Sequence, residues 1–292
     1  MYRDGSNTAP IVQSILHPTD FSEGSQIAFY HALRASLLTK CELTLLHVAT
    51  NGFAGWSDFP GIRETLERWG MLPPNSPKSA VLDLGIDPRK IVARKEDPVR
   101  AVLNFVEHNP TDLIVLATHQ SEGHARWMRK SVAEPVARGA EQMTLFIPGQ
   151  CKGFVSAEDG SVSIRKILIP ITDSPRPQPA LEAAARLVTM FNLPNGTFTI
   201  LHVGPPGSSM PKIRYYEVEG WDWESQMRSG DVIETIADTA SEIDADLIVM
   251  STDGRNGFLD ALRGSHSERV VRQCAIPLLT IPVGSLVASY LS

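Results

Sequence analysis

An internal repeat is the feature that most constrains how this chain folds. Residues 96–148 align without a gap with residues 230–282, so that Asp112 falls on Asp246 at an offset of 134 residues. The match continues upstream at a wider offset, because the first copy has extra residues between its second and third predicted strands. Since an ungapped match of this length is hard to obtain by chance, the sequence predicts two copies of one fold.

Each copy alternates short β-branched runs with helical patterns. The predicted strands of the first copy are 14–18, 43–49, 90–93, 112–118 and 143–148. Those of the second copy are 165–171, 198–203, 221–228, 246–250 and 277–282. Apolar strands without polar alternation are typical of a parallel sheet covered on both faces. The pattern predicts an α/β fold of two tandem doubly wound (Rossmann-like) domains, each with a five-stranded parallel sheet.

The copies define a domain organisation. We expect a first domain at 1–150, a polar, Gly/Ser-rich linker at 151–163 and a second domain at 164–292. Two inserts, 50–85 and 204–212, look irregular, and each follows the second strand of its copy. Because that end of a strand is the ligand-binding edge of such sheets, the inserts are either mobile covers of a site or surface loops without a role.

Composition excludes several classes of protein. The net charge of −6 and the pI of about 5.8 are unlike those of a nucleic-acid binder, whose affinity comes from clustered Lys and Arg. No apolar run approaches the ~20 residues of a membrane helix, and the N-terminus lacks a secretory signal. The three cysteines lie far apart, as in a reduced cytosolic protein without a metal site. We therefore expect a cytoplasmic protein with neither nucleic acid nor membrane as a partner.

A glycine-containing loop, 251–265, joins an apolar strand to a predicted helix in the second copy. Ser265 and Glu268 have the spacing of a capping box, which places the helix start at Ser265. The free N–H groups and the dipole of a helix start attract anions. Gly264 lets the backbone approach a ligand closely, and Gly254 permits a sharp turn. The loop is either a phosphate pocket or a connection that only turns and caps the helix.

In both halves, the pattern resembles the universal stress protein family over nearly the whole chain. Nucleotide-binding members of that family carry Gly-x-x-Gly, nine residues, then Gly-Ser or Gly-Thr. The second copy has Ser-Thr-Asp-Gly at 251–254, nine residues, then Gly264 and Ser265, so that Ser251 replaces the first glycine. The resemblance implies that this loop binds phosphate.

Two further family motifs concern the nucleoside. The family has Pro-x-Asp after the first strand, where the Asp contacts the nucleoside, and a valine beside the adenine at the end of the second strand. In the second copy Val203 matches the valine, whereas Thr172 stands in place of the Asp and Asp173 comes one residue later. The nucleotide-binding residues implied for the second half are Pro170, Ile171, Thr172, Asp173, Val203, Ser251, Thr252, Gly254, Gly264, Ser265 and His266.

The first copy departs from the family in the opposite place. Its Asp motif, with Asp20, and its valine, Val48, are present, but the phosphate loop has lost all three glycines. The side chains of Gln120 and Lys130 would fill the space that the phosphates need. The corresponding residues of the first half are Pro18, Thr19, Asp20, Val48, Ala117, Thr118 and Ser131. We expect the second half to bind nucleotide and the first half to bind weakly or not at all.

The resemblance implies a stress-response regulator that binds ATP, alone or with Mg²⁺. It also implies that the last strands of the two halves pair into an internal pseudo-dimer with a pseudo-twofold axis, which would protect two apolar edge strands. Whether two chains form a homodimer is left open. A scaffold without nucleotide, which works by protein contacts, is the alternative, favoured by Ser251, by Thr172 and by the loss of the glycines from the loop of the first copy. A slow ATPase is the third hypothesis, with Asp253 or Glu268 positioning water, and no catalytic residue is assigned.

Overall fold

The computed structural model describes residues 12–49, 55–94, 97–118, 142–149, 151–252 and 276–283. The described strands of the first half are β1 (Ser14–Thr19), β2 (Glu42–Ala49), β3 (Asp87–Arg94), β4 (Leu113–Thr118) and β5 (Met143–Pro148). Its described helices are α1 (Glu23–Thr39), α2 (Ile62–Arg68), α3 (Ala80–Asp83) and α4 (Pro98–His108).

The second half repeats this order of strands. Its described strands are β6 (Lys166–Ile171), β7 (Gly196–Val203), β8 (Trp221–Arg228), β9 (Leu247–Thr252) and β10 (Leu278–Pro282). Its described helices are α5 (Gln178–Met190) and α6 (Val232–Glu242). All ten predicted strands are therefore confirmed, with ends that move by a few residues.

The helix that precedes the fourth strand begins in the same way in both halves. The carboxylate of Asp97 accepts hydrogen bonds from the first free N–H groups of α4, and the carboxylate of Asp231 does the same for α6. An aspartate at this position satisfies donors that have no partner within the helix. The two halves therefore start this helix at equivalent residues.

One ten-stranded sheet runs through the molecule, in the order β3-β2-β1-β4-β5-β10-β9-β6-β7-β8. Every neighbouring pair is parallel except β5 and β10, which pair antiparallel with Leu279 opposite Leu145. Each half thus supplies a five-stranded parallel sheet, and the predicted pairing of the two last strands is present.

Two apolar layers cover the two faces of this sheet. Helices α1 and α5 pack on one face through residues such as Phe29 and Leu181. Helices α4 and α6 pack on the other face through residues such as Val102 and Ile236. Because successive strand residues point to opposite faces, nine of the ten described strands contribute to both layers, whereas β8 contributes only Trp221 and Trp223 to the layer that contains α1 and α5. No described helix has the length and hydropathy needed to cross a membrane.

The linker at 151–163 is folded against the first half. Phe154 and Val155 are buried, and both of their backbone N–H groups donate to Nε2 of His31 on α1, at 3.0 and 3.3 Å. The other ring nitrogen of His31, Nδ1, donates to the carbonyl of Ile27 at 2.8 Å. The His31 ring is therefore neutral, and it ties the linker to α1.

The first insert, 50–85, was expected to be irregular, and this expectation is wrong for its described residues, 55–85. Residues 55–85 include α2 and α3, and Ile62 and Leu66 of α2 are buried in the layer that contains α1. The indole N–H of Trp69 donates to the carbonyl of Ala157 in the linker at 3.2 Å. These residues therefore form part of the core.

Stability should fall in acid because two histidines are buried without charge. His17 on β1 and His31 on α1 are almost inaccessible to solvent, and burial lowers the pKa of each from 6.5 to about 4. Unfolded chains take up these protons near pH 6.5, whereas the folded protein does so only near pH 4. The stabilisation is therefore complete above pH 6.5 and is lost as the pH falls towards 4. Each ring should lower the free energy of unfolding by on the order of 3 kcal/mol over this range.

Chemical denaturation at several pH values tests this with His17→Ile, since the second copy has Ile169 at the equivalent position. The wild type should lose more free energy of unfolding between pH 6.5 and 4 than the variant. Equal losses in the two proteins would contradict the assignment.

Candidate functional site

The strand order creates a crevice in each half. In the second half, β6 has β7 and β8 on one side and β9 and β10 on the other. The connections that leave β6 and β9 therefore diverge at the carboxyl ends of these strands, which is where open α/β sheets bind ligands. The first half has the same switch point between β1 and β4.

The described candidate residues of the second half meet at this crevice. Pro170 and Ile171 end β6, Val203 ends β7, and residues 251–252 end β9. Thr172 follows β6 and is exposed, and Asp173 after it is exposed as well. The other four candidates, Gly254, Gly264, Ser265 and His266, lie outside the described residues, so their role stays a prediction.

Backbone contacts support the assignment of Thr172 to the position of the family's Asp. In the first half, Nδ1 of His47 donates to the carbonyl of Thr19 at 2.8 Å. In the second half, Nδ1 of His202 donates to the carbonyl of Ile171 at 3.1 Å. Thr19 and Ile171 are therefore equivalent, and the next residue, Asp20 in the first half, corresponds to Thr172 rather than to Asp173.

The ends of β4 and β9 are also equivalent. The N–H of Gly149 donates to the carbonyl of Thr118, and the N–H of Val283 donates to the carbonyl of Thr252, both at 2.8 Å. Ala117 and Ser251 precede these threonines and therefore occupy the same position in the two halves. Ser131, the remaining first-half candidate, lies outside the described residues.

The valines predicted to contact adenine lie on a single face of the sheet. Val48 and Val203 are half-buried and pack against the layer that contains α4 and α6. Their neighbours His47 and His202 lie on the opposite face, because side chains alternate along a strand. Val48 and Val203, the apolar residues predicted to contact adenine, therefore lie on the face of the sheet that is covered by α4 and α6.

Aromatic rings cover the opposite face in the first half. The Phe21 ring stacks on His47 with centroids 4.1 Å apart, and Phe59 meets Phe21 edge-on at 5.3 Å. This cluster lies on the α1 side and therefore does not fill the space beside Val48. Sequence reasoning missed it, although the aromatic residue directly after the Pro-Thr-Asp motif was a visible signal.

Asp20 of the first half is part of a helix cap. Its Oδ1 accepts hydrogen bonds from the backbone N–H and the hydroxyl of Ser22, at 3.0 and 2.6 Å. The Ser22 hydroxyl in turn accepts from the N–H of Ser25 in the first turn of α1. One carboxylate oxygen of Asp20 thus stabilises the start of α1.

The second insert is irregular, as expected, and it continues as a segment that we call the strap, residues 204–220. The side chain of Gln178 at the start of α5 pairs with the strap, donating to the carbonyl of Arg214 and accepting from its N–H, both at 2.9 Å. The Tyr216 hydroxyl donates to the carboxylate of Glu182 at 3.0 Å. The strap is therefore fixed to the end of α5 that lies nearest the crevice.

The profile of the universal stress protein family matches residues 12–148 and 217–282, which is more than half of the chain. The chain belongs to this family. A comparison with curated proteins found no match. No three His, Cys, Asp or Glu side chains gather into a metal site within the described ranges.

Solved structures share the fold of this universal stress protein. A universal stress protein from Archaeoglobus fulgidus is 21% identical, with a TM-score of 0.61 over 92% of this chain and 96% of its own. A putative universal stress protein from Pseudomonas aeruginosa is 14% identical, with a TM-score of 0.59 over 98% of both chains. A universal stress protein solved in complex with cAMP is 21% identical, with a TM-score of 0.30 over 47% of this chain and 97% of its own.

Two hydroxyls at the carboxyl ends of strands are buried without a hydrogen-bond partner among the residues that the structure describes. Oγ of Ser251 and Oγ1 of Thr118 make no hydrogen bond to any described residue. A buried hydroxyl in this state costs free energy, so removing it should not destabilise the protein. Ser251→Ala, which installs the residue found at position 117, should leave the free energy of unfolding unchanged or raise it by up to about 1 kcal/mol.

Chemical denaturation of the ligand-free protein checks this, with Ala117→Ser as the reciprocal variant. Ala117→Ser should lower the stability. A loss of more than about 1 kcal/mol in Ser251→Ala would mean that the hydroxyl has a partner after all.

Proposed function

We propose that this universal stress protein binds an adenine nucleotide, ATP in the first instance, in its second half and acts as a nucleotide-responsive regulator in the cytoplasm. The observation that carries the proposal is the meeting of the described second-half candidates at one switch-point crevice. Sequence motifs selected these residues, and an independent feature, the strand order, brings them to the edge where such sheets bind ligands.

Val203 supplies the wall for the base. It is half-buried at the end of β7 and packs against an apolar layer that includes Met250 of β9. An apolar surface with polar groups at its rim suits a flat heterocycle such as adenine. Thr172 at the end of β6 then offers a hydroxyl to the ribose.

The phosphates would lie beyond the end of β9, on Gly254, Gly264, Ser265 and His266, as the family resemblance implies. When Mg²⁺ accompanies ATP, it would neutralise part of the phosphate charge there. The chain's own contribution is to present backbone N–H groups and to leave room for the phosphates where glycine has no Cβ.

The first half is proposed to bind nucleotide weakly or not at all. Its Asp20 carboxylate supports the cap of α1, and its loop has Ala117, Gln120 and Lys130 in place of the three glycines. The crevice beside Val48 therefore keeps an apolar wall without the phosphate contacts that would give affinity.

A scaffold that acts by protein contacts without nucleotide is the second candidate. Thr172 in place of Asp and the hydroxyl of Ser251 in place of a glycine favour it. Isothermal titration of the whole chain with MgATP separates the two, because the scaffold predicts no heat of binding at high protein concentration.

We also propose that the nucleotide is held rather than hydrolysed. Asp253 and Glu268 are the carboxylates that the sequence offers for positioning water, and both lie outside the described residues. Phosphate release should be no faster for the wild type than for Asp253→Ala and Glu268→Ala. Turnover that either variant abolishes would make the protein an ATPase.

A charge in the base wall should prevent binding in one half only. Val203→Glu places a carboxylate where the adenine packs, so MgATP affinity measured by isothermal titration should fall at least about tenfold, as expected for an unpaired charge in an apolar contact. Val48→Glu is the matched control in the first half and should leave the affinity unchanged. Circular dichroism confirms that both variants fold. Equal effects of the two substitutions would contradict binding in the second half.

A bulky side chain in the phosphate loop gives a second test. Gly264→Trp should abolish the binding of MgATP, because the indole would occupy the space of the phosphates. Lys130→Trp makes the same change at the equivalent position of the first half and should have no effect. Binding that survives Gly264→Trp would place the nucleotide elsewhere.

A further inference from the structure

The linker contacts both halves of the molecule through one aromatic ring. The Phe154 ring meets the His31 ring of α1 edge-on, with centroids 4.5 Å apart. It also meets the ring of Phe191, directly after α5, edge-on at 6.4 Å. The buried Phe154 therefore bridges a helix of the first half and a helix of the second half.

One imidazole holds this bridge in place. Nε2 of His31 accepts hydrogen bonds from the N–H groups of both Phe154 and Val155. The chain before them passes so close to the ring that a Cβ at Gly153 would lie 2.1 Å from Cε1 of His31. Gly153 also has a φ of 65°, a conformation that favours glycine. Without His31, two N–H groups of a buried segment would lose their acceptor.

This contact requires an unprotonated Nε2. Because Nδ1 of His31 already donates to the carbonyl of Ile27, an added proton can bind only at Nε2. That proton would point at two donors, break both hydrogen bonds and place a charge in a buried site. Burial lowers the pKa of His31 from 6.5 to about 4, in agreement with this requirement.

Other charged and titratable groups lie on the elements around the contact. They are His17 on β1, Arg34 on α1, Arg68 on α2 and, in the linker, Cys151, Lys152, Glu158 and Asp159. Hydrogen bonds from the N–H and the hydroxyl of Ser161 lower the pKa of Asp159 to about 2, so this carboxylate keeps its charge in mild acid. His17 is the other buried histidine of the first half, and substitution separates its effect from that of His31.

We propose that the linker is a proton-released tether between the two halves: a proton on His31 detaches residues 151–155 from α1 and frees Phe154 from both helices. The paired residues of β5 and β10 carry no titratable side chain, so their hydrogen bonds still join the halves after release. Mild acid thus loosens the contact between α1 and α5 without separating the two sheets. The proposal is independent of nucleotide binding.

Amide hydrogen exchange of the full-length protein tests the proposal, because the two amides bonded to His31 report their own release. An opening that takes up one proton becomes up to about tenfold more populated for each unit of pH decrease. The protection factors of the Phe154 and Val155 amides are measured by NMR and corrected for the pH dependence of chemical exchange. With a pKa of 6.5 when released and about 4 when tethered, they should fall about fiftyfold between pH 7 and pH 4.5.

Two variants assign the proton to His31. His31→Gln offers a neutral acceptor, and His31→Ala offers none, so both should make the protection of the two amides independent of pH. His17→Ile is the matched control, since it removes the other buried histidine. It should keep the fall at Phe154 and Val155 and reduce the pH dependence of the amides of β5, which exchange through unfolding of the whole protein.

Three results would overturn the proposal. The first is protection that stays constant in the wild type, and the second is an equal fall in His31→Gln. The third is a fall at Phe154 and Val155 that matches the amides of β5 at every pH and shrinks in His17→Ile, because the opening would then be global unfolding rather than release of the linker.

Discussion

Antiparallel hydrogen bonds between β5 and β10 are the constraint on which the rest of the structure depends. Each half alone would leave its last strand as an open, apolar edge, and such edges associate without control. Pairing the two edges joins the halves into one sheet of ten strands. Because β5 and β10 run in opposite directions, the carboxyl edges of the two halves face opposite ways. The two crevices therefore cannot merge into one site.

Separate crevices allow the two halves to specialise. The first half carries the two almost fully buried histidines, His17 and His31, the folded insert with α2, and the contacts that hold the linker through His31. Its Asp20 stabilises a helix cap. The second half keeps three of the four defined positions of the phosphate loop and has Thr172 in place of the Asp. A structural first half and a second half that is proposed to bind the ligand would account for why the motifs are lost in different places.

The sequence predicted the strands and the repeat because apolar runs and their spacing depend on local patterns. It did not predict α2 and α3, since helices this short are held by packing rather than by periodicity. The Pro-x-Asp spacing predicted Thr172 in the position of the Asp, and the contacts of His47 and His202 to the strand ends agree with this register. The aromatic cluster at Phe21 was missed because it joins residues from three separate segments. The glycines of the phosphate loop stay predictions.

The central claim is that a duplicated fold keeps one working nucleotide site per chain. Native mass spectrometry of the intact protein at saturating ATP counts the bound nucleotides directly. The account predicts a mass increase of one nucleotide for each chain. Two nucleotides per chain would mean that the first crevice also binds, and a mass without nucleotide would contradict the claim.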